Sequence, residues 1–249
     1  MSEIGTSDLE RRFGGVARLY GEATFQRFQQ AHVVVAGLGG VGSWAAEALI
    51  RSGIGTISLI DMDHIAPSNT NRQLHALDGA FGQSKVDAMA ERLLKINPQL
   101  KIIQHDLFLE PDNLSGLIPT NSFVLDATDA ILTKIALAVF CVKNQIGLVM
   151  CGAAGGKIDP RAIYSDDLAK TVQDPLLAKI RADLRKNHSF SKDLKKKMGI
   201  RAVFSSEPRQ GKAFGGLACS GYGSAVTVTA SFGFVAAAEI LGLAGGVNP

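Results

Sequence analysis

Gly37-Leu38-Gly39-Gly40-Val41-Gly42 follows an apolar, β-branched run and opens a stretch of helical periodicity. In that setting G-x-G-x-x-G is chemistry for anionic oxygens. Gly37 permits the tight turn, Gly39 with Gly40 beside it lets a phosphate approach the backbone, and Gly42 lets the helix pack on the strand. Unpaired N–H groups and positive potential at the helix start favour the same ligand. Asp61 ends the next strand nineteen residues after Gly42, placed to accept hydrogen bonds from ribose hydroxyls.

That fingerprint alone would suit a dinucleotide, but the following residues point to a nucleoside triphosphate. Asp61-Met62-Asp63 leads into Ser68-Asn69-Thr70-Asn71-Arg72-Gln73, and Gly82-Gln83-Ser84-Lys85 lies just beyond. A triphosphate needs fixed cations as charge moves during reaction. Arg72 offers a planar fork of donors and Lys85 a point charge. Asp126-Ala127-Thr128-Asp129 then closes another strand with two carboxylates. Magnesium prefers one or two carboxylates plus phosphate oxygens, a role that suits Asp129; Asp126 also reads as a helix N-cap or strand-end acid.

These residues require an α/β scaffold. Strand patterns fall at 31–37, 56–61, 100–106, 122–126 and 147–151, with helical patterns at 43–53, 84–97 and 130–145 between them. Such alternation predicts a Rossmann-like, mostly parallel sheet with helices on both faces. After Gly156 the rhythm breaks. The expected organisation is a single ATP-binding domain over 1–249. Its core spans about 30–156, a basic crossover insertion with some helix about 157–200, and a closing segment of strands and helix about 201–249, with 201–205 as a strand.

The chain has 249 residues, 46% of them hydrophobic, which excludes disorder as its main state. The net charge of +3 hides a basic segment, since residues 160–201 hold eleven Lys/Arg against five Asp/Glu. The cysteines Cys141, Cys151 and Cys219 form no C-x-x-C pair, so no zinc ribbon has a ligand set. Sparse cysteines and an N-terminus without an apolar signal core predict a cytoplasmic protein. Residues 213–238 carry no charge and could cross a bilayer by length. Their glycines and hydroxyls, and Glu239 just beyond, favour a buried helix in a core or dimer interface, with membrane contact left open.

The combined pattern G-x-G-G-x-G, D-x-D, S-N-x-N-R-Q, G-x-x-K and D-A-T-D, over roughly residues 11–155, resembles the ubiquitin-activating-enzyme superfamily, whose bacterial members adenylate carboxylates. The resemblance implies that Asp61, Asp63 in the D-x-D element, Asn71, Arg72, Gln73, Lys85 and Asp129 handle ATP and magnesium. It also implies a homodimer in which Arg12 reaches into the partner subunit's site. The segments RRFGGVARLYG, IDPRAIYSDDLAKTVQDPLLAKIRADLRK and SSEP further resemble the branch that dehydrates N6-threonylcarbamoyladenosine in tRNA through an acyl-adenylate. In that branch the nucleophile is intramolecular and no enzyme thiol is needed, in keeping with a cysteine-free stretch from 157 to 218. Cys151 and Cys219 read as structural. Arg181, Arg185, Lys186, Lys192 and Lys195 to Lys197 are candidates for phosphates around an anticodon loop. The resemblance also hints at a cysteine desulfurase or sulfur-acceptor partner.

Three other readings remain at this stage. One is an adenylating enzyme for a ubiquitin-like sulfur carrier, which would depend on a small diglycine-tailed protein. The second is an NAD-linked oxidoreductase, against which Arg72, Lys85 and Asp129 weigh. The third is a nucleotide-gated binding module that would release no pyrophosphate.

Overall fold

The computed structural model describes residues 6–210 and 222–247. Among the described residues seven strands form one sheet: β1 (His32–Ala36), β2 (Thr56–Ile60), β3 (Lys101–His105), β4 (Phe123–Asp126), β5 (Gly147–Cys151), β6 (Ile163–Asp167) and β7 (Arg201–Ser205). Their order is β3-β2-β1-β4-β5-β7-β6, and all neighbours are parallel except β6, which runs antiparallel to β7 on the edge. The order reverses between β1 and β4, which opens a crevice beyond their carboxyl ends.

Alternate side chains of the central strands feed two cores. Val33, Val35, Leu125 and Val149 face one layer, made of α1 (Thr6–Tyr20), α2 (Glu22–Gln30), α3 (Gly42–Arg51), α4 (Lys85–Ile96) and α8 (Val226–Gly245). Val34, Val124, Leu148 and Met150 face the other, made of α5 (Leu114–Leu117), α6 (Ile131–Lys143) and α7 (Pro175–Asn187). Burial on both faces explains why these strands read as continuous apolar runs rather than alternating ones.

The mostly parallel α/β architecture matches expectation, and β5 and β7 fall where the sequence patterns put them. The excursion after Gly156 holds more than helix. Ile163–Asp167, carrying two adjacent acids, becomes a strand because its backbone pairs with β7 from Ile163↔Ser205 to Asp167↔Arg201. Helices α1 and α2 pack Phe13, Phe25 and Phe28 onto the first core. Helix α8 is long and apolar enough to cross a membrane. Here it packs on α3 and the sheet, and Glu239 ion-pairs with Arg201 at 3.0 Å and accepts a hydrogen bond from Ser165.

Candidate nucleotide site

The glycine loop ties β1 to its neighbours. Gly37 has φ of +85°, and its N–H donates to the Ile60 carbonyl at 2.8 Å. A Cβ on Gly42 would stand 1.8 Å from the Gly37 carbonyl oxygen, so only glycine lets α3 start this close to the strand end. Gly39 differs: among the described residues a Cβ there would meet nothing within 4 Å. That position borders a cavity of about 290 Å³ that Gly37, Gly39 and Gly40 help to line.

Acids and cations close the cavity on the β2 side. Asp61 Oδ2 accepts a hydrogen bond from Leu38 N at 2.6 Å, and its Oδ1 accepts one from Asp63 N at 2.9 Å. The strand-end acid thus fixes the glycine loop. Lys85, the first residue of α4, is 5% exposed and places Nζ 2.6 Å from Asp63 Oδ2 and 3.7 Å from Asp61 Oδ1. Arg72 donates from one terminal nitrogen to the Ser68 carbonyl and to Asn71 Oδ1, while Trp44 Nε1 donates to the Arg72 carbonyl. Asn71 in turn donates to the Ser224 carbonyl at 2.8 Å, joining this loop to the segment before α8. Gln73 lines the cavity, and its Oε1 lies 3.2 Å from Nε2 of buried His75. Burial first, then the charges of Lys85 and Arg92, lower the His75 pKa from 6.5 to about 4, so the ring is neutral near pH 7.

The β4–β5 side rests on a sealed ion pair. Asp126 and Lys134 are both 0% exposed, with Lys134 Nζ 3.1 Å from Asp126 Oδ2. The ammonium donates to the carbonyls of Cys151 at 2.8 Å and Asp126 at 3.4 Å, clamping the ends of β4 and β5 together. Asp126 Oδ1 accepts from both the backbone N–H and the hydroxyl of Thr128, at 3.0 and 2.7 Å. This turn carries Asp129 to the cavity wall, exposed and without a hydrogen-bond or ion-pair partner among the described residues. No group of three His, Cys, Asp or Glu suited to a metal occurs among the described residues. The single unpartnered carboxylate of Asp129 is a donor that a hard cation completed by phosphate oxygens and water would accept. Burial pushes the thiols of Cys141 and Cys151 up to about 12, unsuited to nucleophilic attack. Cys219 lies outside the described residues.

The sequence pattern of the ThiF family matches residues 13–249. The chain belongs to the ThiF family. It is 46% identical to tRNA threonylcarbamoyladenosine dehydratase of Escherichia coli strain K12, covering 97% of this chain and 96% of that protein. It is 44% identical to the protein of the same name from Haemophilus influenzae, over 94% and 93% of the two chains. A crystal structure of the E. coli tRNA N6-threonylcarbamoyladenosine dehydratase in complex with ATP superposes with a TM-score of 0.88, at 46% identity, covering 98% of this chain and 97% of that one. Within the ThiF family, the chain therefore belongs with these dehydratases.

In this ThiF-family cleft, most residues singled out from sequence converge. Asp61, Asp63, Arg72, Gln73, Lys85 and Asp129 all line the cavity with the glycines. Gly42 stands behind the loop, and Asn71 flanks Arg72 rather than lining the space. Arg12 is not brought to this chain's own cleft: it donates to Asp8 and to the Ile96 carbonyl, at the end of α4 remote from Lys85. Asp126 is a strand-end acid and not a helix cap, because the N-cap of α6 is Ala130. Lys134 and His75 belong to none of the motifs legible in the sequence. A lone lysine within the apolar stretch Ile131–Phe140 was the available signal for the first. Of the basic segment, Lys186, Lys192, Lys195, Lys196 and Lys197 are exposed. Arg181 instead donates to the carbonyls of Leu168 and Thr171, which withdraws it from the set of phosphate candidates.

Proposed function

We propose that this chain uses ATP to dehydrate N6-threonylcarbamoyladenosine in tRNA, closing a ring through an acyl-adenylate. The observation that carries the reading is the convergence of Arg72, Lys85 and a free Asp129 on one glycine-lined cleft, in a chain related to named dehydratases over almost its whole length. A threonyl carboxylate oxygen attacks the α-phosphorus. The bond from that phosphorus to the bridging oxygen breaks, and pyrophosphate leaves. An atom of the same threonylcarbamoyl group then attacks the activated carbonyl carbon, loses its proton and closes the ring. AMP departs with one former carboxylate oxygen, so the nucleoside has lost one water. In the sense that ATP is split to AMP and pyrophosphate, the enzyme is ligase-type.

The residues divide that work. Arg72 and Lys85 neutralise the phosphates as charge shifts to the leaving group. Lys85 can exchange Asp63 for a phosphate oxygen because Asp63 is 64% exposed. The glycine loop and the start of α3 supply N–H donors. Magnesium held by Asp129 would add charge neutralisation on the phosphates. Buried thiols fit a reaction whose nucleophile sits within the substrate.

The same proposal includes a cytoplasmic homodimer in which Arg12, on α1, serves the partner's cleft. An association with a cysteine desulfurase or sulfur-acceptor system belongs to it as well, resting on family resemblance alone.

The test supplies ATP and magnesium with tRNA that carries or lacks the modified nucleoside. Pyrophosphate and AMP release are followed, and digested nucleosides are weighed. Loss of one water from the modified nucleoside, only with ATP, supports the reading. An unchanged mass, with AMP release dependent on a small diglycine-tailed protein, would replace it with sulfur-carrier activation.

A further inference from the structure

Beside the nucleotide cleft runs a second groove of about 520 Å³, between α6 and α7. Ile131, Leu132, Ile135 and Ala182 form its apolar lining, from which Leu132 projects, 76% exposed. Lys179 and Lys186 stand at its edge, seven residues apart, which places them on one face of α7 about 10 Å apart along the axis. Both lysines are exposed and lack a hydrogen-bond or ion-pair partner among the described residues. The acid in the groove, Asp183, accepts a hydrogen bond from Asn187 at 3.0 Å, and His188 Nε2, which forms an ion pair with it only when protonated, lies 3.3 Å away.

The groove and the cleft share their walls. On α6 and just before it, Ala130 and Thr133 face the cleft while Ile131, Leu132 and Ile135 face the groove. On α7, Leu176 faces the cleft and Lys179 the groove. A strand whose modified base enters the cleft would cross the first turn of α6 and run along this groove.

We propose that the groove docks the single-stranded RNA flanking the modified adenosine, with Lys179 and Lys186 on its phosphates and Leu132 against a neighbouring base. This rests on the tRNA reading above. Chemistry favours RNA over a protein partner. Unpaired lysines bordering an apolar lining match alternating phosphates and bases, whereas protein interfaces deplete lysine at their centres. The exposed run Lys195 to Lys197 extends positive charge beyond α7.

The experiment compares wild type, Lys179→Gln/Lys186→Gln and Leu132→Ala in the dehydration of modified tRNA across a salt series, with melting curves confirming the fold. The double variant should raise the tRNA KM about tenfold. It should also flatten the log–log salt dependence of kcat/KM by about 1.4, from two single-strand phosphate contacts of about 0.7 each. The KM for ATP should not move. Leu132→Ala should raise the tRNA KM about threefold without altering the salt slope. Lys143→Gln, an exposed lysine at the far end of α6, serves as the control and should change neither. A tRNA KM and salt slope unchanged in the double variant would overturn the groove proposal alone. Wild-type protein unable to convert the modified tRNA would remove the underlying reading, and the groove proposal with it.

Discussion

Two lysine–aspartate contacts sit at the carboxyl edge of the same sheet, and their surroundings decide what each can do. At the end of β2, Lys85 meets Asp63, a side chain largely in water, and Asp61, whose oxygens are also bound by backbone N–H groups. At the end of β4, Lys134 and Asp126 are wholly sealed, and the ammonium is further held by two strand-end carbonyls. A charge whose partner is hydrated can change partners when an anionic ligand arrives. A charge pair out of reach of water cannot, because separating it exposes each ion to the full cost of burial. The first contact is suited to chemistry and the second to architecture.

The largest effect should come from leaving one sealed charge unpaired. Lys134→Met should destabilise the fold by about 3–5 kcal/mol, a fall in Tm of roughly 10 °C. Adding Asp126→Asn should restore part of the loss. A Tm within a degree of wild type for Lys134→Met would mean that water reaches Asp126 after all.

Lys85→Ala should show the opposite profile. Pyrophosphate release should fall about 10²–10³-fold, while stability changes by only about 1 kcal/mol, since Asp61 keeps its backbone donors and Asp63 its water. A folded variant with near-normal adenylation would refute the phosphate role of Lys85.

His75 sharpens the contrast by reporting the Lys85 charge. Its folded pKa is lowered from 6.5 to about 4. As pH falls from 6.5 towards 4, the unfolded chain takes up a proton that the folded chain refuses. Stability should therefore drop across that window by about 3 kcal/mol in total and change no further on this account below it. Burial is the larger cause and Lys85 the second. In Lys85→Ala the acid loss should shrink but persist, and His75→Gln should remove the share of His75, leaving the contributions of His32 and His105, whose pKa values burial also lowers. Denaturation midpoints at pH 7 and pH 4.5 test both statements.

What was legible in sequence follows the same division. The glycine loop, β1 and Asp61 stand out because their residues are adjacent or one strand apart, and because strands buried on both faces must be continuously apolar. Arg72 and Lys85 stand out because isolated cations near a phosphate motif have few other uses. Lys134 stayed hidden because its partners, Asp126 and the Cys151 carbonyl, come from two different strand ends and meet only after the sheet forms. β6 stayed hidden because Ile163–Asp167 has little strand character of its own and acquires it from pairing with β7. The place of Arg12, bonded to the Ile96 carbonyl at the end of α4 and away from the local cleft, is a tertiary contact that local periodicity does not encode.

The mildest prediction concerns the point where the two contacts act on one ligand. Asp126 holds Thr128 through two hydrogen bonds, and the next residue is Asp129, so the sealed pair sets where a free carboxylate enters the cleft that Lys85 also lines. Asp129→Asn removes the charge and keeps the shape. Because Asp129 is exposed and unpartnered among the described residues, its loss should leave Tm unchanged. If it holds magnesium, the magnesium concentration for half-maximal pyrophosphate release should rise about tenfold, a cost of about 1.4 kcal/mol, with kcat recovered at saturating metal. A fall in kcat that magnesium cannot restore would instead place Asp129 against the substrate. An unchanged magnesium requirement with full activity would leave the sealed pair with architecture as its whole role.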